Sequence, residues 1–207
     1  VATRGQAFVL RGEPGIGKSR LLSDTARTAR ERGMSVLTTS GVQSEAHLPF
    51  AGLHQLLRPV RGRAAELSAV QRAALDAAFG LTHEVAHEHF RIAMAALDLV
   101  AEVAGDAPVL LVVEDAQWLD RPTSDVLAFV ARRIESDPIV LLVATRDGYA
   151  SALGDAGLPE HRLSGLDDAT AGALLDVSAP QLSLAARTRV LREAAGNPLA
   201  LIELPAM

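Results

Sequence analysis

Gly12, Gly15, Gly17, Lys18 and Ser19 stand in the spacing G-x-x-x-x-G-K-S within AFVLRGEPGIGKSRLL. This is the spacing of a phosphate-binding loop. Glycines let the backbone reverse and aim successive N–H groups at a phosphate. A helix starting at the lysine adds its unpaired N–H groups and the positive end of its dipole. Lys18 is placed to reach the β- and γ-phosphates of a nucleotide, and the Ser19 hydroxyl to ligate Mg²⁺. The candidate nucleotide contacts are therefore the whole loop, Gly12, Glu13, Pro14, Gly15, Ile16, Gly17, Lys18, Ser19 and Arg20.

Lys18 is also the only lysine in a chain with 20 lysines and arginines together. Whatever bias replaced the others kept a compact ammonium at the one position where such a loop needs it.

A second chemical group follows an apolar run: Val109 to Val113 (VLLVV) leads into Glu114 and Asp115. Acidic residues at the end of a buried strand hold Mg²⁺ and orient a water in enzymes with this loop. We expect Glu114 to act on the metal, through a bound water given its length, and Asp115 to polarise the attacking water. A third group is Arg146, after the run Ile139 to Thr145, where a guanidinium stabilises charge on a γ-phosphate.

These groups need a scaffold that brings strand ends together. Ala7 to Leu10 reads as a strand before the loop. Leu21, Leu22, Thr25, Ala26 and Ala29 repeat on one helical face, Gly33 sits at its C-cap, and Met34 to Thr39 reads as the next strand. Strand, loop, helix and strand make a βαβ unit, so the fold class is α/β, a three-layer αβα arrangement on a parallel sheet. The continuous hydrophobicity of Val109 to Val113 marks a sheet covered on both faces.

From Gly41 to about Gly105 strand signals vanish. A short helix after Pro49 ending at Pro59, a second over Leu67 to Phe79, and a long one from Phe90 to Gly105 predict a helical insertion. A helix opens at Pro122, Thr123 and Ser124. His161 to Leu163 reads as a short fifth strand. Two final helices, Asp167 to Val177 and Ser183 to Ala195, predict a small helical subdomain over 166–207, beside a core over 1–165.

Composition excludes several classes. The chain has 207 residues, 49% hydrophobic and 22% charged, enough for a core without metal or disulfide staples. It has no cysteine, which fits a reducing cytoplasm, where we expect it to reside. A net charge of −5 argues against nucleic-acid binding by this segment itself. No apolar run reaches the ~20 residues that span a bilayer. Neither end reads as a natural terminus, so we expect a longer protein.

The motifs GEPGIGKSRLL, HLPFAGLHQLLRP, VLLVVEDAQWLD, ATRD and AAGNPLALIELP, in this order, resemble the ATPase domain of large LuxR-family transcriptional regulators. These are STAND-class ATPases related to AAA+ proteins, and the resemblance runs over nearly the whole chain. It implies ATP and Mg²⁺ as ligands and the sheet order 5-1-4-3-2. It also implies a switch in which ATP or ADP controls self-association, and DNA binding through a helix-turn-helix module outside these residues. By resemblance, Glu114 and Asp115 take the Walker B acidic positions and Arg146 the sensor position. Gly196, Asn197 and Pro198 match the GxP motif, whose Pro198 lies near the base. A segment before the first strand is implied to help hold adenine.

His83, Glu84 and His87 spell H-E-x-x-H, but Phe90 and Ala93 stand where a metzincin has its glycine and third histidine. We expect no stoichiometric zinc. Trp118 reads as a core or interface anchor that reports on the site by fluorescence. Arg132 and Arg133 read as charges at a helix C-terminus. Two rival readings stay open: a P-loop kinase for a small molecule, and a degenerate P-loop scaffold that binds partners without nucleotide.

Overall fold

The structure, a computed structural model, describes residues 4–82 and 89–206. One sheet of five parallel strands, β1 (Gln6–Gly12), β2 (Ser35–Ser40), β3 (Val109–Glu114), β4 (Ile139–Arg146) and β5 (Glu160–Arg162), runs in the order β2-β3-β4-β1-β5. Read from its other edge, this is the 5-1-4-3-2 order that the resemblance implies.

Strand alternation divides the core in two. Val9, Leu111, Val113, Leu141 and Val143 face the helices α2 (Ala51–Leu57), α4 (His89–Asp106) and α5 (Arg121–Ala131). Leu10, Leu110, Val112 and Ala144 face α1 (Lys18–Glu31), which buries Leu22, Ala26 and Ala29 against them. Central strand β3 is therefore buried on both faces, which is why it reads as an unbroken apolar run.

Two apolar residues of the predicted helices lie off their buried faces. Leu21 is 43% exposed, because at about 100° per residue it falls off the Leu22–Ala26–Ala29 stripe. Phe90 is 68% exposed and meets Phe129 edge-on, while Ile92, Ala93, Ala95, Ala96 and Leu99 take the buried face of α4.

The insertion between β2 and β3 is helical, as expected. The chain does not stop at Pro59; it tightens from α2 into 3-10 turns over Arg58–Glu66. Ser68 and Gln71 then form a capping box that starts α3 (Ala69–Ala78).

Asp120 fastens this insertion to the sheet. Its carboxylate is 2% exposed and accepts N–H bonds from Phe50 (2.9 Å), Gly52 (3.0 Å) and Thr123 (2.9 Å). One side chain thus caps α5 and holds the entry of α2, where Phe50 sits at φ 62. Asp120→Ala is expected to cost about 3 kcal/mol, from a lost cap and buried N–H groups left unpaired. Urea unfolding of the variant checks this, and Asp120→Asn, which keeps one acceptor, should fall between.

The chain ends in three helices, not two: α6 (Asp168–Ser178), α7 (Leu184–Ala194) and α8 (Pro198–Glu203). They enclose their own cluster of Ala171, Leu175, Ala179, Val190, Ala194 and Leu201. Among the described residues no helix is long and apolar enough to cross a membrane.

Candidate functional site

The phosphate loop leaves β1 at Gly12 and enters α1 at Lys18. Gly15 and Gly17 take φ 77 and 103, a region that L side chains rarely adopt, and a Cβ at Gly17 would meet nothing within 4 Å. Gly17 caps α1 without a side chain, so the first turn keeps its N–H groups open for an anion.

Lys18 is buried, with its ammonium donating to the Gly12 and Glu13 carbonyls, each at 2.8 Å. These bonds hold the head group inside the loop's curve. Burial pulls its pKa below the usual lysine value, and the charge of Arg146 adds to this against the opposing pull of Asp115 and Asp147. A negative ligand here would pull that pKa back up.

The ends of β1 and β4 lie side by side, with Gly12 paired to Arg146. Arg146 Nε donates to Asp115 Oδ1 at 3.1 Å, so the expected sensor and the expected water-polarising carboxylate form an ion pair. Asp115 itself sits at φ 47, a conformation that aspartate tolerates better than most side chains. Glu114 ends β3 one residue earlier, in register with Ser40 of β2. Thus Lys18, Arg146, Asp115 and Glu114 share the C-terminal edge of one sheet, the edge where open α/β sheets bind ligands.

Ser19 and Glu114 supply a hydroxyl and a carboxylate, hard oxygen donors of the kind Mg²⁺ takes. That donor set fits the ion. The Arg20 side chain is exposed and pairs with Asp24 at 2.9 Å along α1. Only its backbone N–H, in the first turn, remains a candidate contact.

Sequence reading missed the bonds that two polar residues make here. Gln117 bonds Asp115, Thr145 and the Arg146 backbone. Asn197 caps α8 through Oδ1 and donates from Nδ2 to the Pro14 carbonyl at 2.9 Å, while Leu199 N–H reaches the Gly15 carbonyl at 3.2 Å. A Cβ on Gly15 would lie 2.8 Å from Asn197 Oδ1 and from Leu199 Cβ, so the C-terminal helices rest on the phosphate loop itself. The glycine spacing alone carries no trace of that contact. Pro198 follows as the first residue of α8. Beside it a cavity of about 410 Å³ opens between Glu13, Ile16, Asp147, the chain after β5 and Asn197.

Trp118 is half-buried and meets Tyr149 edge-on at 5.2 Å, next to the acidic loop. Arg133 donates to the Phe129 carbonyl and lies 3.6 Å from that ring's centroid, so it caps the end of α5. His83, Glu84 and His87 lie outside the described residues. Among the described residues no group of three or more histidines and acidic residues could hold a metal.

A protein-family model described as AAA ATPase domain matches residues 1–143. The uncharacterized protein R02095 of Rhizobium meliloti (strain 1021) is 28% identical over 187 residues, 77% of this chain and 18% of that protein. The chain thus spans under a fifth of that relative's length. Among solved structures, the HORMA:CdnC:Trip13 complex of E. coli MS115-1 is similar with a TM-score of 0.54 and 19% identity, over 92% of this chain and 59% of that one. The Signal Transduction ATPase with Numerous Domains (STAND) protein PH0952 of Pyrococcus horikoshii, with its tetratricopeptide repeat sensor, gives 0.53 and 17%, over 95% and 26%. AMPPCP-bound DnaA of Aquifex aeolicus gives 0.50 and 16%, over 99% and 56%. At these identities the likeness is one of fold.

Proposed function

The chain belongs to the AAA ATPase domain family, and on that footing we propose that it is the ATP-binding, slowly hydrolysing switch domain of a large LuxR-family transcriptional regulator. The observation that carries this reading is the shared sheet edge, where buried Lys18 in its loop faces the Asp115–Arg146 pair. Lys18 and the N–H groups of the loop bind the phosphates. Asp115 takes the proton of the attacking water, and Arg146 turns its guanidinium to the charge that builds on the γ-phosphoryl group. Ser19 and, through a water, Glu114 would hold Mg²⁺, which when bound would supply charge neutralisation at the phosphates.

We assign the nucleoside end of ATP to the cavity beside Asn197 and Pro198, and the boundary between core and helical subdomain to 165/166. Because α8 rests on the phosphate loop, the nucleotide state has a direct route to the helices. We assign DNA binding to a helix-turn-helix module elsewhere in the regulator, and place the protein in the cytoplasm.

Sedimentation velocity under MgATP and under MgADP, with phosphate release followed in parallel, tests the switch. The expected result is slow release of phosphate and a larger species under MgATP than under MgADP. Identical sedimentation in both nucleotides would overturn the switch, and absence of phosphate release would overturn hydrolysis.

A further inference from the structure

The ladder between β3 and β4 stops at the Val113–Val143 pair. Glu114 and Asp115 on one strand, and Thr145 and Arg146 on the other, project past it without backbone pairing to each other. Backbone pairing to β2 holds Glu114 and pairing to β1 holds Thr145 and Arg146, so what links the two ends directly is side chains. Gln117, on the turn Ala116–Trp118 that follows Asp115, spans this gap.

Its amide is used at both ends. Oε1 accepts from the Arg146 backbone N–H at 3.1 Å and from the Thr145 hydroxyl at 3.3 Å, while Nε2 donates to Asp115 Oδ1 at 2.7 Å. A backbone N–H can only donate, so Arg146 fixes which end of the amide is oxygen, and the NH₂ must face the carboxylate. Asp115 Oδ1 then has two donors, Gln117 Nε2 and Arg146 Nε at 3.1 Å. Among the described residues Oδ2 has none. Lone pairs that already accept strong bonds are poor bases.

We infer that Gln117 is a positioning residue: it carries the register of the sheet past its last ladder pair and, by filling Oδ1, leaves Oδ2 of Asp115 as the oxygen that takes a proton from water. The turnover consequence rests on the proposed hydrolysis, whereas the placement of Asp115 against Arg146 does not. A side chain that merely filled space would tolerate any isosteric replacement; one that works by polarity would not.

The test is a cycle of Gln117→Glu, Asp115→Asn and the double variant in the intact chain. Gln117→Glu keeps the acceptor for Arg146 but sets a carboxylate oxygen against Asp115. In the double variant the amide introduced by Asp115→Asn can donate to that oxygen, restoring the bond to residue 117 with reversed polarity while giving up the bond from Arg146 Nε. Gln117→Glu is expected to melt lower than wild type and to shift the emission of neighbouring Trp118. The double variant should regain part of both. Turnover should fall ~10²-fold in Gln117→Glu, as for a misplaced catalytic group, with MgATP affinity within ~3-fold, the mark of a transition-state effect. A double variant no more stable than Gln117→Glu, or a Gln117→Glu protein with unchanged melting and emission, would overturn the inference. A wild type that binds MgATP without releasing phosphate would remove the hydrolytic reading, while the melting cycle still decides the role of Gln117.

Discussion

Replacing Asp115 with asparagine is expected to lower phosphate release ~10³-fold, the scale of a lost general base, while MgATP still binds. The variant keeps an oxygen for the bonds from Arg146 and Gln117, so the loop should hold its shape. What it loses is the basic lone pair. The check is single-turnover hydrolysis beside equilibrium binding on one preparation. Glu114→Gln makes the comparison sharper. With Glu114 acting on the metal, that variant should change the Mg²⁺ dependence of turnover, whereas Asp115→Asn should leave it alone. Equal turnover by wild type and Asp115→Asn would remove the carboxylate from the mechanism.

Replacing Lys18 with alanine is expected to weaken MgATP binding ~10³-fold, about 4 kcal/mol for two charge-assisted bonds to phosphate. The ammonium is buried and held by two carbonyls, so alanine removes a fixed charge from inside the loop. Arginine should not rescue it, since a planar guanidinium does not fit a pocket shaped for a point charge. Thermal unfolding reads this directly. A ligand at ~100 times its dissociation constant stabilises by about 2.7 kcal/mol, so MgATP should raise the melting temperature of wild type and leave Lys18→Ala unmoved. An equal rise in both would place the nucleotide away from the loop.

The phosphate loop was legible in the sequence because its meaning is local. Glycines, lysine and serine act within eight consecutive residues, and the flanking strand and helix read from their own periodicity. The acidic pair was legible for a similar reason, at the end of a strand too apolar to be anything but buried. The order of the strands was not in any periodicity; it came from the resemblance.

What stayed hidden depends on that order. Gln117 matters only because β4 lies beside β3, which brings Arg146 from 29 residues away. Asp120 drew no reading of its own in the sequence, yet it caps α5 and two of its three partners are 70 and 68 residues distant. The helix α8 escaped because Gly196, Asn197 and Pro198 read as the GxP motif of the resemblance, when Asn197 in fact caps a new helix. Leu21 and Phe90 show the opposite error. Both are apolar and near the right spacing, but the sheet and its helices are filled by their neighbours, Leu22 and Ile92, at 0% and 1% exposure.

On the proposed reading, the contact of Asn197 and Leu199 with the loop links the site to the helices. Phosphate binding and helix docking use the same short backbone, Pro14 and Gly15 included. A ligand that favours one arrangement of the loop must therefore shift the helices by its differential affinity for the two.

The measurement that tests the central claim most directly is calorimetric titration of MgATP into the chain. The expected result is a saturable heat with one nucleotide per chain, abolished in Lys18→Ala. No heat with the folded wild-type chain, or equal heat with Lys18→Ala, would contradict it.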